Sequence, residues 1–401
     1  MDKRWLRFRH RVVRRVAGIV FYPFCAWRYH IKMERFKEQE KRPYLILLNH
    51  QTAYDQFFVA YSFRGPVYYL ASEDLFSMGW VSSLLRWLVA PIPIKKQATD
   101  LAAVKNCIRV AREGGTIAIA PEGNRTYSGK TEYMSPAIAG LARKLGLPIA
   151  LYRIEGGYGV HPRWSDGLRR GKMRSYVSRV IQPEEYATMT NDELFAVIEK
   201  ELYVDEAVAD AHFLSGKRAE YLERAVYVCP DCGLSTFASN GNEITCKKCG
   251  KTIRYEEDKR LTGVGCEFPY EFVNDWYEYQ KAFVNMLDVT QYVDTPLYTE
   301  KTSLLEVIVY RHKELLCKEA TIHLYGDRFI IEGDGIDTMT LPFDEVTAVS
   351  VLGKNKLNIY HNNRVYQLKS DKRFNALKYV NIYYRWKNIT RGDADNTFLG
   401  I

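Results

Sequence analysis

The apolar and polar positions between residues 44 and 181 follow the pattern of an α/β domain. Short, uniformly apolar runs are separated by longer stretches with helical periodicity. The predicted strands are 44–48, 67–70, 116–120, 148–154 and 175–181, and the predicted helices include 99–113 and 135–145. Strands that are apolar on both faces and alternate with helices are typical of a buried, largely parallel sheet.

The first thirty residues have the pattern of a basic amphipathic helix. Apolar residues recur at three- and four-residue steps, and an arginine stripe runs beside them. The apolar positions are Trp5, Phe8, Val12, Val16, Ile19 and Val20, and the stripe is Arg4, Arg7, Arg11 and Arg14. Such a helix can lie in the interface of a membrane that carries anionic lipids. The alternative is a helix that packs on its own domain and leaves its arginines in water.

The last third of the chain is dominated by short strands. Seven are predicted, at 305–310, 320–324, 329–331, 339–342, 346–351, 357–360 and 364–369, and a helix over 373–386 follows them. Seven strands closed by one helix resemble the pleckstrin-homology-like (PH-like) fold. Just before them, residues 268–287 carry aromatic side chains at helical spacing, which favours a packing face.

Composition and charge limit the class of protein. The chain has 401 residues, is 47% hydrophobic and 26% charged, and has a formal net charge of +9. This predicts two or three folded domains and excludes wholesale disorder. Seven basic residues and one acid lie within residues 1–15, so we expect an anionic partner. No apolar run reaches the roughly 18 residues of a membrane span and no cleavage site follows residues 16–27, so we expect a cytoplasmic protein.

The cysteines predict a metal site. Four of the eight form two Cys-x-x-Cys-Gly motifs, Cys229/Cys232 and Cys246/Cys249, with thirteen residues between them. In a reducing compartment this arrangement predicts a zinc ribbon, in which four thiolates hold a structural Zn²⁺. A redox role is the alternative.

Candidate chemistry begins where the strand 44–48 ends. His50 follows this strand, and Asp55 lies in the next turn. A carboxylate there can bind the imidazole Nδ1, fix the tautomer and leave Nε2 as a base. The same spacing occurs at His161 and Asp166, but no predicted strand leads into that pair. We therefore predict that His50 is the functional histidine; the alternative is a structural histidine.

A second polar turn, Pro-Glu-Gly-Asn-Arg-Thr at 121–126, follows the strand 116–120. Ligands of such sheets bind at the carboxyl ends of strands, where both turns lie. Gly123 lets the backbone approach a ligand, and Arg125 offers a planar fork suited to phosphate. Lys95 and Lys96 add positive charge. The alternative is an ordinary turn with a surface salt bridge.

The two motifs in this order resemble the glycerolipid acyltransferase family, in particular the 1-acyl-glycerol-3-phosphate (lysophosphatidate) acyltransferases, over about residues 10–190. The resemblance implies that His50 is the general base and that Asp55 orients it. It also implies acyl-CoA or acyl carrier protein as the thioester donor and a lysophospholipid as the acceptor. The substrate-binding residues that it implies are Glu122, Gly123, Arg125 and Thr126, with Lys95 and Lys96 where the family usually has an arginine.

We therefore expect a multidomain α/β protein in which a glycerolipid-acyltransferase-like α/β domain precedes a small zinc ribbon and a β-rich, PH-like C-terminal domain. The predicted segments are a membrane-associating helix (1–30), the acyltransferase domain with a helical tail (31–225), the ribbon (226–256), a helical linker (257–300) and the PH-like domain (301–395). The expected product is phosphatidate, made at the cytoplasmic face of the cell membrane by a peripheral enzyme.

Two alternatives remain at this point. Glycerol 3-phosphate or another lysophospholipid could be the acceptor in the same reaction. A zinc-ribbon protein that binds nucleic acid is the alternative of another class. Acidic residues beside the ribbon, Glu243, Glu256 and Glu257, argue against nucleic acid as the partner.

Overall fold

The computed structural model of this chain describes residues 4–37, 43–94, 100–209, 211–392 and 398–400. The chain forms two units, the first made of Met1–Arg163 and Leu168–Leu214 and the second of Trp164–Gly167 and Ser215–Ile401. Four residues within the sequence of the first unit therefore belong to the second. The domain boundary expected after residue 225 falls inside the second unit.

A seven-stranded sheet is the centre of the first unit. Its strands are β1 (Ile31–Met33), β2 (Leu45–Leu48), β3 (Val67–Ser72), β4 (Ile92–Ile94), β5 (Thr116–Ile119), β6 (Ile149–Glu155) and β7 (Met173–Ile181). They lie in the order β1-β7-β6-β2-β5-β3-β4, and neighbours are parallel except for the antiparallel pair β6 and β7. The predicted α/β domain and its largely parallel sheet are confirmed. The short strands β1 and β4 were not predicted.

Helices connect and cover these strands. They are α1 (Phe8–Tyr29), α2 (Asp55–Ser62), α3 (Trp80–Val89), α4 (Leu101–Arg112), α5 (Ala137–Leu145), α6 (Gly157–Val160), α7 (Pro183–Ala187) and α8 (Asn191–Leu202). None of the helices in the described part of the chain is both long enough and apolar enough to span a membrane.

The uniformly apolar strands are explained by two hydrophobic clusters. In β2, Leu45 and Leu47 belong to one cluster, together with buried residues of α4, α5 and α8. Ile46 and Leu48 belong to the other, together with buried residues of α1 and α2. Because successive side chains of a strand point to opposite faces, a sheet that is covered on both faces needs apolar residues at every position.

The first part of the second unit contains short antiparallel strands and one helix. The strands are β8 (Val228–Cys229), β9 (Gly233–Leu234), β10 (Phe237–Asn240), β11 (Glu243–Cys246), β12 (Thr252–Tyr255) and β13 (Leu261–Gly263), and the helix is α9 (Val273–Met286). The indole of Trp276 in α9 is fully buried and meets the rings of Phe237 and Phe268 at 5.3 and 5.0 Å between centroids. The predicted aromatic packing face is thus confirmed.

A second seven-stranded sheet, entirely antiparallel, completes this unit. Its strands are β14 (Tyr298–Ile308), β15 (His312–Leu324), β16 (Arg328–Gly333), β17 (Met339–Pro342), β18 (Val346–Leu352), β19 (Lys356–His361) and β20 (Arg364–Lys369), followed by α10 (Leu377–Thr390). The strand order is β17-β16-β15-β14-β20-β19-β18. All seven predicted strands and the closing helix are present.

Candidate active site

The turn after β2 is fixed by the residue that precedes the histidine. Asn49 is fully buried, and its Nδ2 donates to the carbonyl of Ile154 at 2.8 Å. Its Oδ1 accepts from the N–H of Ile154, also at 2.8 Å. These two bonds extend the pairing of β2 with β6 by one residue beyond Leu48, where the regular ladder ends. The asparagine therefore sets the point at which His50 leaves the sheet.

The structure brings His50 and Asp55 into direct contact. The imidazole Nδ1 lies 2.7 Å from Asp55 Oδ2, with the side chains 31% and 3% exposed. The same carboxylate accepts from the N–H groups of Gln51 and Thr52 at 2.8 Å and from the hydroxyl of Thr52 at 2.7 Å. Asp55 is the first residue of α2, so the helix and these donors fix the carboxylate that orients the imidazole. Within the described residues no hydrogen bond engages Nε2 of His50, which suits a base.

Glu122 links the two polar turns. It follows β5, which lies beside β2, and its Oε1 accepts a hydrogen bond of 2.9 Å from the backbone N–H of His50. The side chain is buried, and burial raises the pKa of the Glu122 carboxyl to about 8, although the bond to His50 acts in the opposite direction. Glu122 thus holds the backbone of the histidine in place; its predicted contact with the acceptor stays a prediction.

Gly123 and Arg125 shape the rest of this turn. Gly123 has φ +70°, and a Cβ there would meet no atom within 4 Å, so backbone conformation rather than space requires a glycine. Arg125 is half-buried, and its Nη1 is a buried donor without a hydrogen-bond partner among the described residues. Burial lowers the pKa of Arg125 to about 10, and the neighbouring charge of Arg163 contributes to this shift. A buried guanidinium donor without an acceptor is suited to an anionic group of a ligand.

Arg163 is a residue of this region that sequence reasoning missed. Its Nη1 donates to the carbonyl of Arg125 at 2.8 Å, and its guanidinium lies 4.2 Å from the ring centroid of Tyr127. The side chain is buried. Arg163 therefore positions the backbone of the arginine turn. No local sequence signal reveals this, because the two arginines are 38 residues apart.

The hydroxyl of Thr126 is used within the turn. It accepts from the N–H groups of Ser128 and Gly129 at 3.0 and 3.1 Å and lies 3.0 Å from Oε1 of Glu132. Thr126 therefore stabilises the loop after β5, and a direct contact with substrate stays a prediction. Lys95 and Lys96 lie outside the described residues.

The second His-x-x-x-x-Asp sequence has a different environment. His161 is a buried residue of the first unit, just after α6. Asp166 belongs to the second unit, where Arg224 and Lys354 bind its carboxylate at 2.8 and 3.1 Å. Equal spacing in the sequence therefore produces an imidazole–carboxylate pair at His50 and Asp55, whereas His161 and Asp166 belong to different units.

The four motif cysteines come together in the second unit. The sulfur atoms of Cys229, Cys232, Cys246 and Cys249 all lie within 4.8 Å of one another. Cys229 Sγ and Cys249 Sγ are 3.8 Å apart. Four sulfurs at tetrahedral angles and about 2.3 Å from a zinc ion would be about 3.8 Å apart. The thiols therefore fit a metal ion, which they would hold as a closed set of four ligands.

The chain is similar to known acyltransferases. Residues 30–154 match the family model described as Acyltransferase. A chloroplastic 1-acyl-sn-glycerol-3-phosphate acyltransferase of Arabidopsis thaliana is 22% identical over 192 residues, which are 46% of this chain and 52% of that protein. The 1-acyl-sn-glycerol-3-phosphate acyltransferase of Borreliella burgdorferi is 31% identical over 117 residues, 28% of this chain and 47% of that protein. The chain spans about half the length of these curated relatives.

The crystal structure of the 1-acyl-sn-glycerophosphate acyltransferase PlsC of Thermotoga maritima aligns with this chain at a TM-score of 0.41. Identity is 20%, over 48% of this chain and 78% of PlsC. The residues matched by the family model include His50, Asp55 and the turn at 121–126, which meet at the carboxyl edge of the parallel strands. The α/β unit of this chain therefore contains a region that matches the Acyltransferase family model and carries both polar turns.

Proposed function

We propose that this protein transfers a fatty acyl group from a thioester donor, acyl-CoA or acyl carrier protein, to the free hydroxyl of 1-acyl-glycerol 3-phosphate and so forms phosphatidate. The observation that carries the proposal is the 2.7 Å contact between His50 and Asp55 within the acyltransferase region. An alcohol is a weak nucleophile at neutral pH, and a placed imidazole is the residue type that most often activates it.

The proposed reaction needs no covalent intermediate on the protein. Asp55 holds Nδ1–H of His50, and Nε2 removes the hydroxyl proton of the acceptor as its oxygen attacks the thioester carbonyl. A C–O bond forms, the C–S bond breaks, and the imidazolium returns the proton to the departing thiolate. Asp55 also stabilises the imidazolium while it carries that proton.

The guanidinium of Arg125 is the proposed contact for the acceptor phosphate. Its unpartnered Nη1 and the exposed Gly123 in the same turn support this role. Arg163 holds the backbone of Arg125 in place. Glu122 ties the turn to the backbone of His50, and Thr126 stabilises the loop that follows. The acceptor contacts of Glu122 and Gly123 are part of the same proposal.

The test is acyl transfer from a radiolabelled thioester to a panel of acceptors, with His50→Ala compared with His161→Ala. We expect lysophosphatidate to be acylated by the wild type and by His161→Ala, and a loss of about 10²–10⁴-fold in His50→Ala. Exclusive acylation of glycerol 3-phosphate or of another lysophospholipid would change the acceptor and keep the mechanism. Full activity of His50→Ala would refute the proposed base.

We also propose that the cysteine cluster is a structural zinc ribbon. The 3.8 Å contact between Cys229 and Cys249 and the closed set of four thiols support it. Metal analysis of the purified protein is expected to find one zinc per chain, which Cys229→Ser removes together with part of the stability. Cys266→Ser is the matched control, because Cys266 is an exposed thiol outside the cluster. Equal metal content in both variants would overturn the zinc site.

We further propose that the protein binds peripherally to the cytoplasmic face of the membrane. Two helices of the first unit that contact each other expose large apolar side chains, which we call the α1–α3 apolar face. It consists of Phe8, Val12, Val16, Ile19, Val20, Trp27, Trp80, Leu84 and Trp87. The sequence predicted that α1 contacts the membrane. We propose that α3, which the sequence did not indicate, contacts it as well.

The test of membrane association is flotation with vesicles. Trp80 is 76% exposed, so Trp80→Ser is expected to weaken binding. Tyr203→Ser is the control, because Tyr203 is an exposed aromatic residue after α8 in the same unit. Equal binding of both variants to vesicles would contradict the proposed face.

The second sheet with α10 is proposed to be a PH-like domain that docks the enzyme to a lipid or a protein. Its support is the succession of seven antiparallel strands and one helix. Loss of membrane association after deletion of residues 300–401 would agree with this role, and unchanged partitioning would exclude it.

A further inference from the structure

A second basic region of the first unit lies at the opposite edge of the sheet from His50. A cavity of about 610 Å³ is found next to the amino ends of β3 and β5. The residues that line it lie within three segments, 4–11, 64–68 and 113–116. Since β2, β5 and β3 are parallel, their amino ends lie together, away from the carboxyl ends that carry His50 and Glu122. The cavity is therefore separate from the candidate active site.

The backbone that carries two of the cavity's arginines is anchored. The N–H of Leu6 donates to the carboxylate of Glu113 at 2.9 Å. Trp5 and Leu6 pack against the hydrophobic core. Gly115 leaves room for this contact, because a Cβ there would come within 2.9 Å of Leu6 Cδ1. The segment that carries Arg4 and Arg7 is thus fixed in place, and its Trp5 packs against the core.

The charge of the lining is strongly positive. Arg4, Arg7, Arg11 and Arg64 line the cavity, against the single carboxylate of Glu113. Guanidinium groups present planar pairs of donors that match the oxygens of a phosphate. Burial lowers the pKa of the nearby His10 imidazole, and the charges of Arg9 and Arg7 lower it further.

The position of the cavity favours a lipid as the source of that phosphate. Phe8 lines the cavity and is also 79% exposed at the start of the α1–α3 apolar face. Arg9 connects the two helices of that face, with its guanidinium 5.1 Å from the ring centroid of Trp87. A ligand with a phosphate in the cavity would therefore have its apolar chains beside exposed apolar side chains.

We propose that the cavity lined by Arg4, Arg7, Arg11 and Arg64 binds the headgroup phosphate of an anionic phospholipid when the protein docks on a membrane. The inference rests on the membrane association proposed above and gives it a defined lipid site. A defined lipid site of this kind differs from diffuse electrostatic attraction by the predicted arginine stripe. Arg14 of the predicted stripe donates instead to the carbonyls of Ala60 and Phe63 at the end of α2, and Arg64 joins the cavity in its place.

Two double variants of equal charge separate a defined site from diffuse attraction. Arg7→Gln/Arg64→Gln removes two arginines of the cavity. Arg15→Gln/Arg28→Gln removes two exposed arginines of α1 that do not line it. The probes are phosphatidylcholine vesicles with and without about 20 mol% phosphatidylglycerol. Thermal unfolding checks that all variants are folded.

We expect the cavity variant to lose about tenfold or more in partitioning to the anionic vesicles and the control variant about threefold or less. Equal losses in the two variants would overturn the defined site. Wild-type protein that binds neutral and anionic vesicles equally would also overturn it while leaving the apolar face intact. Wild-type protein that binds neither kind of vesicle would refute the membrane proposal itself.

Calorimetry with inorganic phosphate, without vesicles, distinguishes free phosphate from a lipid headgroup. We expect no measurable binding, because the apolar chains contribute to the affinity for a lipid. Tight binding of inorganic phosphate that is lost in Arg7→Gln/Arg64→Gln, with vesicle binding equal to that of the control variant, would show that free phosphate is the ligand. Acyl transfer is not needed for any of these readings, so they can be made in His50→Ala protein.

Discussion

The replacement Asp55→Asn tests whether the carboxylate sets the tautomer of His50. In the wild type, Oδ2 faces the imidazole Nδ1 and the N–H of Gln51, and Oδ1 faces the N–H and hydroxyl of Thr52. An asparagine has one oxygen and one NH₂ group in the same space. Whichever way the amide lies, its NH₂ faces a backbone N–H that was previously bound.

The magnitude follows from these contacts. If the NH₂ group faces His50, Nδ1 must accept, so the proton moves to Nε2 and the base is lost; in Ser-His-Asp sites the corresponding change costs about 10⁴ in kcat. If the oxygen faces His50, the tautomer survives but the imidazolium loses a full negative charge next to it. We expect kcat to fall by about 10³–10⁴ with little change in KM. The backbone donor left unpaired should lower the free energy of unfolding by about 1–3 kcal/mol.

The assay is steady-state acyl transfer with each substrate varied, combined with denaturant unfolding of the same protein. Asp166→Asn is the control, because Asp166 stands at the same spacing after a histidine but binds Arg224 and Lys354. It should keep full activity. A loss of less than about tenfold in Asp55→Asn, or an equal loss in both variants, would refute the role of the carboxylate in orienting a base.

Three further predictions concern titration and positioning. The pKa of Glu122 rises from 4.5 to about 8 in the folded protein, so its contribution to stability is lost as pH rises through this range. The free energy of unfolding of Glu122→Gln, relative to that of wild type, should therefore increase by roughly 2–4 kcal/mol between about pH 5 and pH 9. A difference in denaturant unfolding that does not change with pH would contradict this. The pKa of Asp166, raised by burial but lowered further by Arg224 and Lys354, is about 2, so its stabilisation is present above pH 3.8 and lost as pH falls through about 2. Allowing for its exposure, Asp166→Asn should cost about 1 kcal/mol at neutral pH, and acid unfolding in which this difference persists near pH 2 would disprove it. Arg163→Leu should raise KM for the acceptor about tenfold with little change in kcat, and Arg163→Lys should not restore it; a fall in kcat alone would mean that Arg163 does not act through Arg125.

Local sequence patterns were sufficient for the longer strands of both large sheets, the clustering of the motif cysteines and the pairing of His50 with Asp55, but they missed the short strands β1 and β4. The apolar runs predict strands because both faces of the sheet are covered. The imidazole and the carboxylate are only five positions apart, so a strand end followed by one turn brings them together. Such features depend on residues that are close in the sequence, so one amino-acid sequence is enough to predict them.

Other parts of the site depend on contacts between distant residues. Asn49 binds Ile154 across 105 positions, and Arg163 binds the carbonyl of Arg125 across 38. The side chain of Arg14 donates to the carbonyls of Ala60 and Phe63 at the end of α2, 46 and 49 positions later in the sequence. In each case a polar side chain satisfies a backbone group that no periodicity reveals, so only the folded arrangement identifies its role.

The assignment of Trp164–Gly167 to the second unit has a consequence for the order of events during synthesis. Trp164 is fully buried, with its ring 5.9 Å from that of Tyr255, and Asp166 precedes its partners Arg224 and Lys354 by 58 and 188 residues. At about 5–20 residues per second, the second partner leaves the ribosome roughly 10–40 s after the carboxylate. Throughout that interval part of the unit in which the indole of Trp164 is buried has not yet been synthesised. A nascent chain arrested near residue 214 would therefore present an uncovered tryptophan to chaperones, even where the parallel sheet around His50 had already formed.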